Sequence, residues 1–160
     1  MLTIQEKIFQ LDELRSLVQD WKSDGEAVVF TNGCFDLVHR GHLDYLSKAR
    51  NLGGKLIVGL NSDQSVQRLK GKERPINDQL SRAELLASLY FVDAVVLFEE
   101  DTPANLITNL IPSILVKGGD YIVEDIVGYD VVKQAGGDVL TIPFLDGFSS
   151  TNLIEKIKKL

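Results

Sequence analysis

The 160-residue sequence holds a single cysteine, Cys34, only two histidines and only four prolines. One cysteine cannot close an internal disulfide, which agrees with a reducing compartment. No apolar run approaches the roughly 20 residues of a membrane span, and the start, Met-Leu-Thr-Ile-Gln-Glu-Lys, lacks the charged-then-apolar pattern of a signal peptide. A cytoplasmic protein with no membrane partner is expected. Basic charge is also short: 17 Lys and Arg against 23 Asp and Glu give a net charge of −6, which argues against a nucleic-acid partner. Neither Gly-x-Gly-x-x-Gly nor Gly-x-x-x-x-Gly-Lys-Ser/Thr follows the first apolar run, which counts against an NAD enzyme and an ordinary P-loop NTPase.

What is present is the pattern of one soluble α/β domain, residues 1–160, with 44% hydrophobic and 25% charged residues. Apolar positions from Ile4 to Trp21 recur at three- and four-residue spacing and predict an N-terminal helix over 4–22, within a segment 1–25 preceding a core of 26–160. Short apolar runs at 27–31, 55–60, 94–98, 114–116 and 139–142 predict five buried strands. Helical spacings predict helices over 42–51, from the cap Ser81 (with Glu84 completing a capping box) to about 91, from 102 to 110, over 127–135 and over 150–159. Residues 68–80 read as one long loop. Strands alternating with helices imply a Rossmann-like, doubly wound, five-stranded parallel sheet. Such sheets bind ligands beyond the carboxyl ends of their strands.

The most informative stretch follows the first strand: Thr31-Asn32-Gly33-Cys34-Phe35-Asp36-Leu37-Val38-His39-Arg40-Gly41-His42. His39 and His42, three apart at a helix start, share one face beside free backbone N–H groups, a set suited to phosphate. A zinc site and a purely structural, hydrogen-bonded pair are the rival readings. Cys34 reads as a small residue in a crowded turn, with an activated nucleophile as its alternative. Arg68, Lys70, Lys72 and Arg74 gather in seven residues, either as a solvated basic loop or as the local cation cluster that an acidic protein needs for an anionic substrate.

The stretch from Phe30 to His42, built on His39-x-Gly41-His42, resembles the cytidylyltransferase-like nucleotidyltransferases. Gly59-Leu60-Asn61-Ser62-Asp63, Arg68-Leu69-Lys70-Gly71 with Arg74-Pro75, Phe98-Glu99-Glu100-Asp101-Thr102-Pro103 and Val116-Lys117-Gly118-Gly119-Asp120-Tyr121 are similar to the bacterial heptose-1-phosphate adenylyltransferases. The likeness runs from about residue 26 to the C-terminus. It implies that ATP and D-glycero-β-D-manno-heptose 1-phosphate give ADP-heptose and pyrophosphate, a step towards the lipopolysaccharide inner core. In many bacteria that activity is fused to a sugar kinase; the length here suits a stand-alone form. One segment departs from the pattern. The family commonly carries Gly-x-Ser-Thr-Thr, whereas this chain has Gly147-Phe148-Ser149-Ser150-Thr151, keeping a hydroxyl at each position.

The resemblance implies a role for each candidate. His39 and His42, with Lys70 and Lys72, are the expected catalytic residues, donating to phosphate oxygens as negative charge builds. Asn32, Gly33, Cys34, Phe35, Gly41, Gly118, Asp120, Ser149, Ser150 and Thr151 are expected at the nucleotide. Asp36, Ser62, Asp63 and Arg74 are expected at the sugar phosphate. Ser150 and Thr151 also read as plain helix caps, and Arg82 is a weaker candidate for phosphate contact. Mg²⁺ is expected to arrive with ATP rather than in an all-protein cage. Pairing as a homodimer is a further expectation carried by the resemblance. The alternatives are glycerol-3-phosphate cytidylyltransferase, another sugar- or alcohol-phosphate enzyme of the same fold, and a non-catalytic nucleotide-binding module.

Overall fold

A computed structural model of the chain describes residues 3–160. Six parallel strands, β1 (Ile8–Phe9), β2 (Val28–Gly33), β3 (Lys55–Asn61), β4 (Ala94–Phe98), β5 (Ile114–Gly118) and β6 (Asp138–Ile142), form one sheet ordered β1-β4-β3-β2-β5-β6. The helices are α1 (Leu11–Ser23), α2 (Arg40–Arg50), α3 (Asp63–Lys70), α4 (Gln79–Ser88), α5 (Ala104–Leu110), α6 (Tyr129–Gln134) and α7 (Ser150–Ile157). Successive side chains of a strand point to opposite faces, so Val28 and Phe30 pack with Leu14, Val18, Ile107 and Val132 on one side. Val29 packs with Leu46, Ala49, Ala83 and Leu86 on the other. Both faces are covered, which is why β2 and β3 read as near-continuous apolar runs.

The sheet has one strand more than expected. Ile8 and Phe9 pair with Val95 and Val96 along what would otherwise be the open edge of β4. The helix predicted over 4–22 therefore begins only at Leu11, where Gln10 and Glu13 exchange side-chain and backbone hydrogen bonds in a reciprocal cap. An open strand edge outweighs helical spacing here, because pairing Ile8 and Phe9 with β4 satisfies backbone groups of Val95 and Val96 that a helix would leave open.

The loop predicted over 68–80 is shorter, running from 71 to 78. Ser62 caps α3 by accepting from the Ser65 N–H at 3.1 Å, and that helix continues to Lys70. The next helix is capped by Asp78 and not by Ser81. The Asp78 carboxylate accepts from the Leu80 and Ser81 N–H groups at 2.9 Å each and from the Ser81 hydroxyl at 2.7 Å. An ionised carboxylate satisfies more of the free N–H groups than a serine can. That helix ends at Ser88, short of Phe91.

The functional crevice opens beside β2. This strand pairs with β3 along all six of its residues, but with β5 only at Val29↔Ile114 and Phe30↔Leu115. Past that point Tyr45 of α2 places its hydroxyl between the two strands, 2.5 Å from Thr31 Oγ1 and donating to the Val116 carbonyl at 3.3 Å. Burial pushes this phenol up to about 12, so it remains a neutral donor. The strand ends Thr31–Gly33 and Val116–Gly118 thus flank a gap where the strand order reverses.

Candidate active site

The strand-to-helix turn after β2 positions both histidines. His39 is the N-cap of α2: its Nδ1 accepts from the Gly41 N–H at 3.1 Å, while the His39 N–H donates to His42 Nδ1 at 3.4 Å. With both Nδ1 atoms accepting, the ring proton of each neutral imidazole resides on Nε2, leaving two N–H donors. The rings stack with centroids 3.8 Å apart, and the Phe35 ring meets the His42 ring edge-on at 5.1 Å. Burial lowers His39, and burial followed by the charges of His39 and Lys70 lowers His42 to about 4. Gly41 is required for space: a Cβ there would lie 3.0 Å from both His39 Cε1 and Phe148 Cβ. Phe35 adopts a left-handed backbone at φ +44°, a conformation costly for a bulky residue and common at functional turns.

A second layer of polar contacts ties the 71–78 loop to this turn. Asp36 is buried, and its carboxylate accepts from Arg74 Nε at 2.6 Å, from the Ile76 N–H at 2.8 Å and from the Asn77 N–H at 2.9 Å. Burial alone would raise this carboxyl; the Asn77 and Ile76 N–H groups and Arg74 hold it below its ordinary value. Arg82 is fully buried. It donates to the carbonyls of Asn77 (3.0 Å), Cys34 (2.7 Å) and Asn61 (2.8 Å), and to Asp63 Oδ1 (2.7 Å). One guanidinium thereby joins the ends of β2 and β3 to the start of α3 and the loop before α4.

Two adjoining chambers open above the strand ends. The larger, about 480 Å³, is bordered by Asn61, Asp101, Thr102, Tyr121 and Asp125. The smaller, about 200 Å³, is bordered by Phe35, His42, Tyr45, Arg74, Gly118, Phe144 and Ser150. Asn32, Gly33, Cys34, Lys70, Lys117 and Tyr121 border both. Lys117, with its ammonium 5.7 Å from the Tyr121 ring centre, is lowered by burial. The Cys34 thiol is pushed up by burial, with Lys70, Arg82 and Arg74 pulling the other way, so it is not an activated thiolate.

Several expected residues stand elsewhere. Asp36 does border the smaller chamber, but its carboxylate is engaged by Arg74 and by the Ile76 and Asn77 N–H groups of the 71–78 loop. Ser62 is a helix cap, and Asp63 is held by Arg82, with its own N–H donating to Gln79 Oε1 at 3.0 Å. These two border neither chamber. Lys72 and Asp120 are exposed and border neither, and Arg68 pairs with Asp101 at 2.9 Å. The basic segment is therefore not one mobile loop: Lys70 ends a helix and Arg74 is pinned. Ser149 caps α7 through the Asn152 N–H at 3.0 Å, Ser150 donates to the Leu37 carbonyl at 3.1 Å, and Thr151 is exposed. Arg82, a weaker candidate for phosphate contact by sequence, is a buried internal strut that borders neither chamber. Tyr45 and Phe144, which border the smaller chamber, and Phe148, which packs against Gly41, join the site beyond the residues expected from sequence; two aromatics in the short segment between β6 and α7 are the signal for the latter two.

The profile described as cytidylyltransferase-like matches residues 30–156. Among curated relatives, the Bifunctional protein HldE of Geobacter sulfurreducens is 54% identical over 153 residues, covering 96% of this chain and 31% of the relative. The protein of the same name from Rhodopseudomonas palustris is 52% identical over 159 residues, covering 99% of this chain and 32% of the relative. The chain spans about a third of the length of these relatives. Among solved structures, a lipopolysaccharide core biosynthesis protein from Thermoplasma volcanium superposes with a TM-score of 0.60 at 29% identity, over 76% of this chain and 98% of that one. Pantothenate synthetase from Thermus thermophilus, at TM-score 0.59 and 18% identity over 96% of this chain and 70% of its own, shares the fold.

Proposed function

Since the chain belongs to the cytidylyltransferase-like family, we propose that it transfers AMP from ATP to D-glycero-β-D-manno-heptose 1-phosphate, releasing pyrophosphate and ADP-heptose. The observation that carries this reading is the neutral His39–His42 pair, with both Nδ1 atoms occupied and His42 at the rim of a chamber shared with Lys70, Arg74 and Lys117. The identity to relatives named Bifunctional protein HldE favours the heptose acceptor over glycerol 3-phosphate.

An oxygen of the sugar phosphate attacks the α-phosphorus, and the bond from that phosphorus to the bridging oxygen breaks towards pyrophosphate. Catalysis of this kind rests on positioning and on stabilising charge. The His42 Nε2–H and its stacked neighbour donate to the α-phosphate, and Lys70 and Lys117 stand between the chambers where the two phosphates meet. The larger chamber, with Asn61, Asp101, Thr102 and Asp125 at its border, suits a polyol such as heptose. Among the described residues no group of three or more His, Cys, Asp or Glu side chains is placed to share a metal ion. Magnesium belongs to this reading as part of the MgATP substrate. No helix among the described residues is long and apolar enough to cross a membrane, and the ATP requirement suits a cytoplasmic site of action.

Incubation with MgATP and the heptose 1-phosphate tests the proposal. ADP-heptose and pyrophosphate should appear in equal amounts. Release of AMP without any nucleotide sugar would overturn it.

A further inference from the structure

Among the described residues, Arg74 Nη2 is a buried side-chain nitrogen without a hydrogen-bond partner. The guanidinium is anchored at Nε, held at 2.6 Å by Asp36, and Asp36 is held in turn by the Ile76 and Asn77 N–H groups. Leaving a guanidinium N–H unsatisfied inside a protein is costly, so an orphaned one calls for a partner such as a ligand, a water or an ion. The surroundings specify the charge of that ligand. Arg74 borders the smaller chamber together with Lys70 and Lys117, and the only carboxylate on that border, Asp36, is already engaged by Arg74. Three cations face one neutralised anion in about 200 Å³.

We infer that Arg74 Nη2 anchors an oxygen of the nucleotide's β–γ phosphates, the part that leaves as pyrophosphate, and that Asp36 is the positioning residue that aims it. The inference rests on the nucleotidyl-transfer reading, but not on which base or acceptor is used. Lys70 and Lys117 border both chambers, whereas Arg74 borders only the one containing His42 and the Ser150 end of α7. Arg74 therefore lies on the leaving-group side of the α-phosphorus, away from the acceptor. As the bond from the α-phosphorus breaks, the electron pair goes to the pyrophosphate oxygen, and a planar guanidinium with a free N–H is matched to that developing charge. Holding Nε on Asp36 lowers the entropy lost when the phosphate binds.

Titration calorimetry with magnesium pyrophosphate, and separately with heptose 1-phosphate, tests this on the full chain without turnover. Arg74→Lys and Arg74→Gln should weaken pyrophosphate binding roughly tenfold or more, with sugar-phosphate binding unchanged. Asp36→Asn, which keeps the Arg74 charge but loosens its hold, should raise the KM for ATP and weaken pyrophosphate binding in parallel. Thermal unfolding of each variant separates a lost contact from a lost fold, and Arg74→Lys should melt close to the parent. Parent-like pyrophosphate affinity in Arg74→Lys and Arg74→Gln would overturn the inference, as would a loss equally large for the sugar phosphate or no pyrophosphate binding by the parent. A protein that prefers CTP or glycerol 3-phosphate but loses pyrophosphate on Arg74→Lys would refute the proposed substrates and leave the Arg74 anchor standing.

Discussion

His39 and His42 stack ring on ring at 3.8 Å, and each gives its Nδ1 to a backbone N–H. Two imidazolium ions at that separation would repel, and burial further disfavours their charge, so both rings are neutral donors at pH 7. The sequence contains no other histidine, and an NMR titration therefore shows two imidazole resonances. One should titrate near pH 4 and the other below its ordinary value. A midpoint at or above 6.5 for both would contradict the buried, stacked geometry.

The same shift predicts a stability change with a defined sign. The folded pKa of His42, about 4, lies below its ordinary 6.5, so between those values the unfolded chain binds more protons. The stabilisation is complete above about pH 6.5 and is lost as the pH falls towards 4. Denaturant midpoints at pH 7 and pH 5 should differ more for the parent than for His42→Gln.

Removing either donor costs turnover. His39→Ala and His42→Ala should each lower kcat on the order of 10²–10³-fold while changing the KM for ATP much less, since the donors act most strongly on transition-state charge. Steady-state kinetics with saturating sugar phosphate reads this directly.

Gly41→Ala keeps every polar group and disturbs only space. The added methyl meets His39 Cε1 and Phe148 Cβ at 3.0 Å, so the capping ring must move. A displacement of that kind should cost about 10–100-fold in kcat/KM with a small change in melting temperature. Kinetics and a melting curve on the same preparation distinguish it from general destabilisation.

Arg82→Ala removes one side chain that satisfies three carbonyls and Asp63. Breaking a buried, hydrogen-bonded ion pair from one side costs about 3–5 kcal/mol. Urea unfolding should show a loss of that order. Arg82→Lys should recover only part of it, because an ammonium cannot span four acceptors spread over separate elements.

The parts legible in sequence are those decided locally. The runs at 27–31 and 55–60 announce buried strands because both faces of their sheet are covered, and the His39–His42 turn announces itself because its cap and donors lie within four residues. Ile8 and Phe9 do not announce a strand, since their partners, Val95 and Val96, lie on a distant segment. Asp36 is legible as a residue of the site, but its hold on Arg74 and Asn77 is not, since those partners lie 38 and 41 residues away. Arg82 misleads for the same reason: nothing in its helical neighbours shows that the strand-end carbonyls of Cys34 and Asn61 converge on it. Local chemistry was readable, whereas the contacts that pin one loop to another were not.

A pyrophosphate-release panel of ATP, CTP, GTP and UTP, each offered heptose 1-phosphate and glycerol 3-phosphate, reads the substrate pair without prior assumption. Turnover with ATP and heptose 1-phosphate should stand at least tenfold above every other pairing. Turnover confined to CTP, or a preference for glycerol 3-phosphate, would contradict the proposed function.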